Sequence, residues 1–296
     1  MSFRSMLKMG PQDPKVTDND SNRNTSNFLF IAHPGHELCV HAWLTRTRPK
    51  VFVLTDGSGH DTQSRIASTT RVLDDAGASR GSIYARFTDA ELYALILKRD
   101  FQPLLRVVDE FAEAMIAEKA AAVAGDAIEG FNPTHDICRM IINAAVEIAR
   151  RRDGREIVNQ DFLLVGRHAP LDLAGATTLQ LDEAALQRKL DAAHNFLELR
   201  PEVDAVLGGE LLAFHQYPQI RNETMLDSNT VGAEAYRVEC LRPVAEKHSA
   251  EHLTTVPFYE RYGELRVTEG FYGEVIRYRQ HILPFSEALW QHAANS

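Results

Sequence analysis

Several things are scarce in this chain of 296 residues, and each scarcity narrows the reading. It has three cysteines, Cys39, Cys138 and Cys240, with no CxxC pair among them. That excludes a disulfide framework or a cysteine-rich metal knot and suits reduced thiols in a cytoplasmic protein. Basic residues are outnumbered, 32 Lys and Arg against 41 Asp and Glu, leaving a net charge of -9. This balance argues against a general nucleic-acid binder and against adsorption to anionic membranes. No apolar run approaches the length of a membrane-spanning helix, so membrane insertion is not expected. Residues 1–26 lack the apolar stretch and small-residue cleavage site of a secretory leader. Being polar and rich in Asn, Asp and Ser, they are expected to form a disordered or loosely attached tail. Internal repeats and low-complexity blocks are also missing beyond residue 26. Residues 27–296 therefore read as one domain, large enough for a sizeable core.

What is present is an alternation of two patterns. Short apolar runs at Asn27–Ala32, Lys50–Asp56, Ala120–Asp126, Asp161–Gly166 and Asp204–Gly209 have the character of buried strands. Helical periodicity runs through His36–Arg46, Arg65–Ala76, Leu104–Glu118, Thr134–Arg151 and Asp182–Leu199. Strands separated by helices of this length imply crossover units. The expected fold is therefore α/β, a Rossmann-like three-layer domain with a mainly parallel sheet. Residues 210–296 carry many aromatics, among them Phe214, Tyr217, Tyr236, Phe258, Tyr259, Tyr262, Phe271, Tyr272 and Tyr278. These residues either line a substrate pocket or cover one end of the sheet.

The chemistry gathers where the strands end. The first apolar run stops on His33-Pro34-Gly35-His36-Glu37. In open α/β sheets, ligands bind beyond the carboxyl ends of the strands. A third imidazole, His135, follows the Ala120–Asp126 run and opens the next helix, with Thr134 as the expected N-cap and Asp136 in the first turn. Three neutral imidazoles with an open fourth position form a competent zinc site, although iron, nickel or another divalent ion also accepts them. The plainer alternative is a set of histidines that brace loops.

Four patterns occur in the order found in the PIG-L/LmbE family of metal-dependent de-N-acetylases, which this chain resembles. AHPGHE stands in the place of the family's AHPDDE, and VFVLTDGSG resembles its second strand and TDG turn. RIASTTRVLDDAGA resembles its R-x-x-E helix, and NPTHDICRMIINAAVEIA its HPDH segment; RKLDAAHNF (Arg188–Phe196) is a fainter echo of K-x-x-A-x-x-x-H. The resemblance implies an LmbE-like fold and a zinc-dependent hydrolase acting on the C–N amide bond of an N-acylated sugar or related small metabolite. It places the metal ligands at His33, His36 and His135, with His36 where the family has a carboxylate. An imidazole there leaves one more net positive charge on the metal, which favours ionisation of a bound water.

The departures fall on proton transfer. The family's general base corresponds to Gly35, its general acid to Asn132, and the Asp supporting that acid to Thr134. General acid–base assistance is worth about 10²–10⁴ in rate. Replacements are therefore sought among Asp126 and Glu129, then Asp56, each near a strand end, with Asn132 as an amide donor to a carbonyl oxygen. Glu37 closes the family motif, where a supporting role is implied. Asp56 can equally brace a turn, and Asp136 a helix start. His60, Arg71 and Tyr84 are candidates for substrate contact only if the fold brings them close. Two rival readings follow: a non-hydrolytic metal-containing binding or regulatory protein on the same fold, and a three-His site used for iron or lyase-type chemistry.

Overall fold

The computed structural model of the chain describes residues 26–59, 63–165, 173–208, 232–244 and 256–296. The expected tail thus lies outside the described residues except for Ser26, which opens the first strand. In that strand, β1 (Ser26–Ile31), alternate residues face opposite ways and both faces are buried. Phe28 and Phe30 point into one core, Leu29 and Ile31 into the other. The next strand, β2 (Lys50–Thr55), repeats this with Phe52 and Leu54 against Val51 and Val53. Two-sided burial is why these strands read as continuous apolar runs, and it marks a parallel sheet covered by helices on both faces.

Seven described strands form one sheet in the order β3-β2-β1-β4-β5-β7-β6. The added members are β3 (Ser79–Phe87), β4 (Ala120–Asp126), β5 (Val158–Phe162), β6 (Thr177–Gln180) and β7 (Val238–Pro243). Strands β3, β2, β1, β4 and β5 pair in parallel. Strand β7 joins β5 antiparallel, and β6 joins β7 the same way. The fold is therefore the α/β, mainly parallel architecture expected. Chain order reverses between β1 and β4, the point at which crossovers leave on opposite faces and open a crevice.

One face carries α4 (Gln102–Ala117), α5 (Pro133–Asp153) and the C-terminal α9 (Leu283–Asn295). The other carries α1 (His41–Thr47), α2 (Ile66–Ala76), α6 (Glu183–His194) and α7 (Arg200–Leu207). Two more helices are α3 (Asp89–Lys98) and α8 (Phe258–Thr268). Helix α5 lies so close to β4 that a Cβ on Gly125 would stand 2.4 Å from the Phe30 carbonyl oxygen and 2.5 Å from Ile142 Cδ1. Among the described residues no helix is long and apolar enough to cross a membrane.

Several expectations are corrected. The apolar run Asp204–Gly209 is no strand: its described residues belong to or close α7, which starts with Pro201 in its first turn and buries Val203 against the second core. A short apolar run cannot by itself separate strand from helix. The run Asp161–Gly166 pairs only through Phe162, because the backbone then turns away from the sheet; Gly166 is outside the described residues. The helix expected over Asp182–Leu199 breaks after His194 and resumes as a 3-10 turn at Leu197–Leu199. His36–Arg46 likewise begins as a 3-10 turn, His36–Val40, before α1. The helix start at Thr134 is capped instead by Asn132, whose Oδ1 accepts from the Thr134 amide at 2.8 Å ahead of Pro133. That arrangement combines a preferred cap residue with proline at the first helical position.

Phe30 is fully buried, its ring 4.7 Å from Phe111 and 5.9 Å from Phe52. Phe30→Ala is expected to lower unfolding stability by about 3–5 kcal/mol in a urea titration, with the m-value unchanged.

Candidate functional site

The site is built where β1 and β4 end side by side. Backbone after Ile31 carries Ala32 and His33, then turns through Pro34 and Gly35 into the 3-10 turn that presents His36. Strand β4 ends on Asp126, and the loop from Ala127 to Phe131 leads to His135 in the first turn of α5. The three imidazoles meet. Their ring centres are 5.3 Å apart for His33 and His36, 5.1 Å for His33 and His135, and 4.6 Å for His36 and His135. Steep mutual tilts of 67–87° turn each ring edge toward its neighbours.

The remote side of two rings is held. His33 Nδ1 lies 2.7 Å from Thr55 Oγ1, which itself donates to the Ala32 carbonyl at 3.1 Å. A hydroxyl has one proton to give, so it accepts from His33 Nδ1–H, and the lone pair falls on Nε2. Asp89 Oδ1 stands 3.1 Å from the same Nδ1, in ion-pair range although not aligned as its hydrogen bond. His36 Nδ1 lies 2.9 Å from Asp126 Oδ2. That same oxygen accepts from the Ala32 amide, so it serves as an acceptor here too, which puts the proton on Nδ1 and the lone pair on Nε2. His135 is held neutral: burial first, then the nearby His36 and His33, push it well below the ordinary imidazole value. His33 Nε2 and His135 Nδ1 are buried with no hydrogen-bond partner. Burying an unpaired polar nitrogen is unfavourable, so such atoms ask for a ligand.

This donor set is of the chemical type that a divalent metal takes. A ring centre lies about 3 Å from a metal bound through its nitrogen, so two imidazoles of a tetrahedral shell have centres about 5 Å apart. Carboxylate or hydroxyl partners on the remote nitrogens are the usual outer support of such ligands. Even so, among the described residues no group of three or more His, Cys, Asp or Glu side chains has its donors gathered closely enough to hold a metal as they stand.

The acidic candidates lie in different places. Asp126 is fully buried; besides His36, its Oδ2 accepts from the Ala32 amide at 2.8 Å, and its Oδ1 has no partner. Glu129 is turned to the loop beyond β5, accepting from the Leu164 amide at 2.7 Å and the Val165 amide at 3.1 Å. That contact pairs the amides of the segment that follows β5. Asp56 closes a turn by accepting from the Ser58 amide and hydroxyl at 3.0 and 2.7 Å. Asp136 accepts from the Glu129 and Gly130 amides, and burial pushes its carboxyl up to about 7. Burial likewise raises Glu37 to about 7, against the hydrogen bonds it accepts from the Thr69 hydroxyl at 2.7 Å and the Gly35 amide at 2.8 Å. Tyr84 pairs with Thr70, and Arg71 with Ser68; His60 is outside the described residues.

The backbone at Gly35 leaves no room for a side chain. Its φ is +104°, and a Cβ there would come within 2.2 Å of Leu199 Cδ1, with Phe196 at 3.6 Å. The break after α6 thus puts an apolar pair where a side chain at 35 would stand. Behind this turn, Lys189 and Glu239, 2% and 1% exposed, form an ion pair at 2.9 Å. Glu239 accepts from the Ala42 and Trp43 amides, and Lys189 donates to the Cys39 carbonyl, so the segment after His36 is clamped.

Asp89 and Thr55 were missed as site residues. A signal for Asp89 existed: Thr88 and Glu91 form a capping box, which marks a helix start and hence a strand's carboxyl end just before it. The Asp89 carboxylate also accepts from the Gly59 amide at 2.7 Å.

No family model matches the chain, and no curated protein matches it. Among solved structures, it is similar to the A40926 pseudoaglycone deacetylase at 19% identity and a TM-score of 0.46, covering 75% of this chain and 98% of that one. Likeness to a deacetylase of teicoplanin biosynthesis and to the zinc-inhibited form of teicoplanin deacetylase Orf2 is 12% identity at a TM-score of 0.40, covering 75% of this chain and 99% of each. At these values the likeness carries no argument about activity.

Gly35→Ala is expected to cost about 1–3 kcal/mol through strain and the Leu199 clash. Combining it with Leu199→Ala should relieve the clash share only, read as a non-additive melting shift in a double-mutant cycle.

Proposed function

We propose that this protein is a divalent-metal hydrolase, with zinc as the metal, that cleaves the C–N amide bond of an N-acylated sugar or related small metabolite. The observation that supports it above others is the meeting of His33, His36 and His135 at the sheet's reversal point, with ring centres 4.6–5.3 Å apart and two buried ring nitrogens unpartnered. These three side chains hold the metal. When bound, the metal polarises an acyl carbonyl and favours ionisation of water.

The protein's own groups divide the remaining work. Thr55 with Asp89 orients His33, and Asp126 orients His36, each fixing the tautomer with its lone pair toward the centre. Asn132 spends its carbonyl oxygen on the helix cap, which leaves its amide Nδ2–H as a donor toward a substrate carbonyl. Of the acidic candidates for proton transfer, Asp126 is joined to the His36 imidazole, while Asp56 and Glu129 accept from loop amides.

A second reading, a metal-containing binding protein on the same fold, is favoured by one observation: the place of a base at Gly35 is filled by Leu199 and Phe196. Iron or lyase-type chemistry is separated from both by the identity of the metal.

Elemental analysis of the purified chain is expected to find about one zinc per molecule, absent from a His36→Ala/His135→Ala variant; a parent that takes up no metal on reconstitution sinks the hydrolase reading. Asp126→Asn should weaken metal binding about 10–100-fold, since it removes the carboxylate behind a ligand. Acyl release from a panel of N-acyl sugars should be abolished by Asp126→Asn. Asp56→Asn and Glu129→Gln should instead act through loop stability and retain turnover. Metal uptake without release of any acyl group would favour the binding protein.

A further inference from the structure

The segment that presents His36 has no cap of its own. Gly35, ahead of the 3-10 turn His36–Val40, has no side chain, and Val40, ahead of α1, offers none that can accept a hydrogen bond. The first amides of a helix find no partner within it. Two of those of α1, Ala42 and Trp43, donate instead to the Glu239 carboxylate on β7, at 2.9 Å each and one to each oxygen. Lys189 of α6 donates to the Cys39 carbonyl at 2.8 Å and to Glu239 Oε1 at 2.9 Å. Its ammonium also lies 5.6 Å from the centre of the Tyr236 ring. The pair thus bonds the backbone on both sides of the joint between the 3-10 turn and α1.

Both partners are buried, and a buried ion pair is a poor source of stability: apolar residues of similar volume often replace one at no loss. What apolar residues cannot do is accept two amides and donate to a carbonyl. The pair therefore matters here as a fixed set of directions. Cys39 follows His36 by three residues, one turn of a 3-10 helix, so the two stand one above the other. A bond to the Cys39 carbonyl consequently fixes the turn that carries the His36 ring. That ring has a narrow target, since its Nδ1 meets Asp126 Oδ2 at 2.9 Å, at the end of another strand.

We propose that Lys189 and Glu239 are positioning residues for His36: the pair sets the 3-10 turn so that the imidazole meets Asp126 with its proton on Nδ1 and its lone pair toward the centre. The orientation of the ring needs no metal, but its use rests on the proposed function, in which His36 is a ligand.

The tautomer of His36 is read from long-range proton–nitrogen correlation spectra of the full metal-free chain at about pH 8, above the ordinary imidazole value. His36→Gln identifies its signals. The parent should show one form, protonated on Nδ1. Lys189→Met and the near-isosteric Glu239→Gln should each convert it to a mixture of both tautomers. Exchanging the charges, Lys189→Glu with Glu239→Lys, should not restore it, because an ammonium cannot accept from amides and a carboxylate cannot donate to a carbonyl. Leu289→Ala, buried in α9 on the other face of the sheet, is the stability control. It should lower the melting temperature at least as far and leave the His36 form unchanged. Melting curves establish which variants fold, and Glu239→Gln suffices if Lys189→Met does not. A mixture already present in the parent, a single form kept in the folded variants, or one restored by the charge exchange would overturn the positioning role. Zinc titration of the same proteins addresses the proposed function, with affinity expected to fall about tenfold in Glu239→Gln. A parent that binds no zinc while the tautomer shift is seen removes the metal reading and leaves the positioning standing. Zinc bound equally by parent and variants, with one unchanged His36 form, removes the positioning alone.

Discussion

The buried carboxylate of Asp126 is the contact on which the rest of the site depends. It ends β4, receives the amide of Ala32 at the end of β1, and holds the ring of His36. One side chain therefore joins the two central strands where chain order reverses and sets the orientation of an imidazole there. A carboxylate removed from water costs several kcal/mol unless it is compensated. The compensation here comes from the Ala32 amide and the His36 Nδ1–H. Arg139, also fully buried, binds the Asp126 carbonyl and the Gln160 carbonyl, and so secures the ends of β4 and β5 from below.

Around that contact, a ring of acidic groups does structural work. Glu37 fixes the Gly35 turn, Glu129 the exit of β5, Asp136 the loop ahead of α5, and Glu239 the start of α1. Each accepts backbone amides that would otherwise be left unpaired where strands give way to helices. The consequence is a rigid rim. A site whose supporting groups are themselves locked keeps its imidazoles at fixed separation, and that preorganisation is what metal binding and recognition both draw on.

Much of the fold could be read from the chain because burial on both faces leaves an unmistakable mark. β1, β2 and β4 are near-continuous apolar runs, and α2, α4 and α5 carry the helical period. The strands that escaped notice lie toward the sheet's edges. β3 buries only Ile83 of its nine residues, β6 is four residues long, and β7 is found by antiparallel pairing with distant partners. Their local sequence has no apolar run to betray them. α7 went the other way, since Asp204 to Leu207 has strand-like composition and its helix is decided by packing on the second core.

By itself the sequence determined that His33 and His36 close one strand and that His135 opens the helix after another, because apolar periodicity, Pro-Gly punctuation and helix-start chemistry are local properties. It also determined that a charged side chain is lacking at position 35. Only the tertiary structure decided that the three rings meet within 4.6–5.3 Å. It alone decided that Asp126 stands behind His36, that Asp89 and Thr55 stand behind His33, and that Leu199 fills the space over Gly35. Apart from the His33–His36 pair, these are contacts between residues 22 to 164 positions apart. Strand order, and the break that ends α6, set them, and neither leaves a signature in the residues that come together.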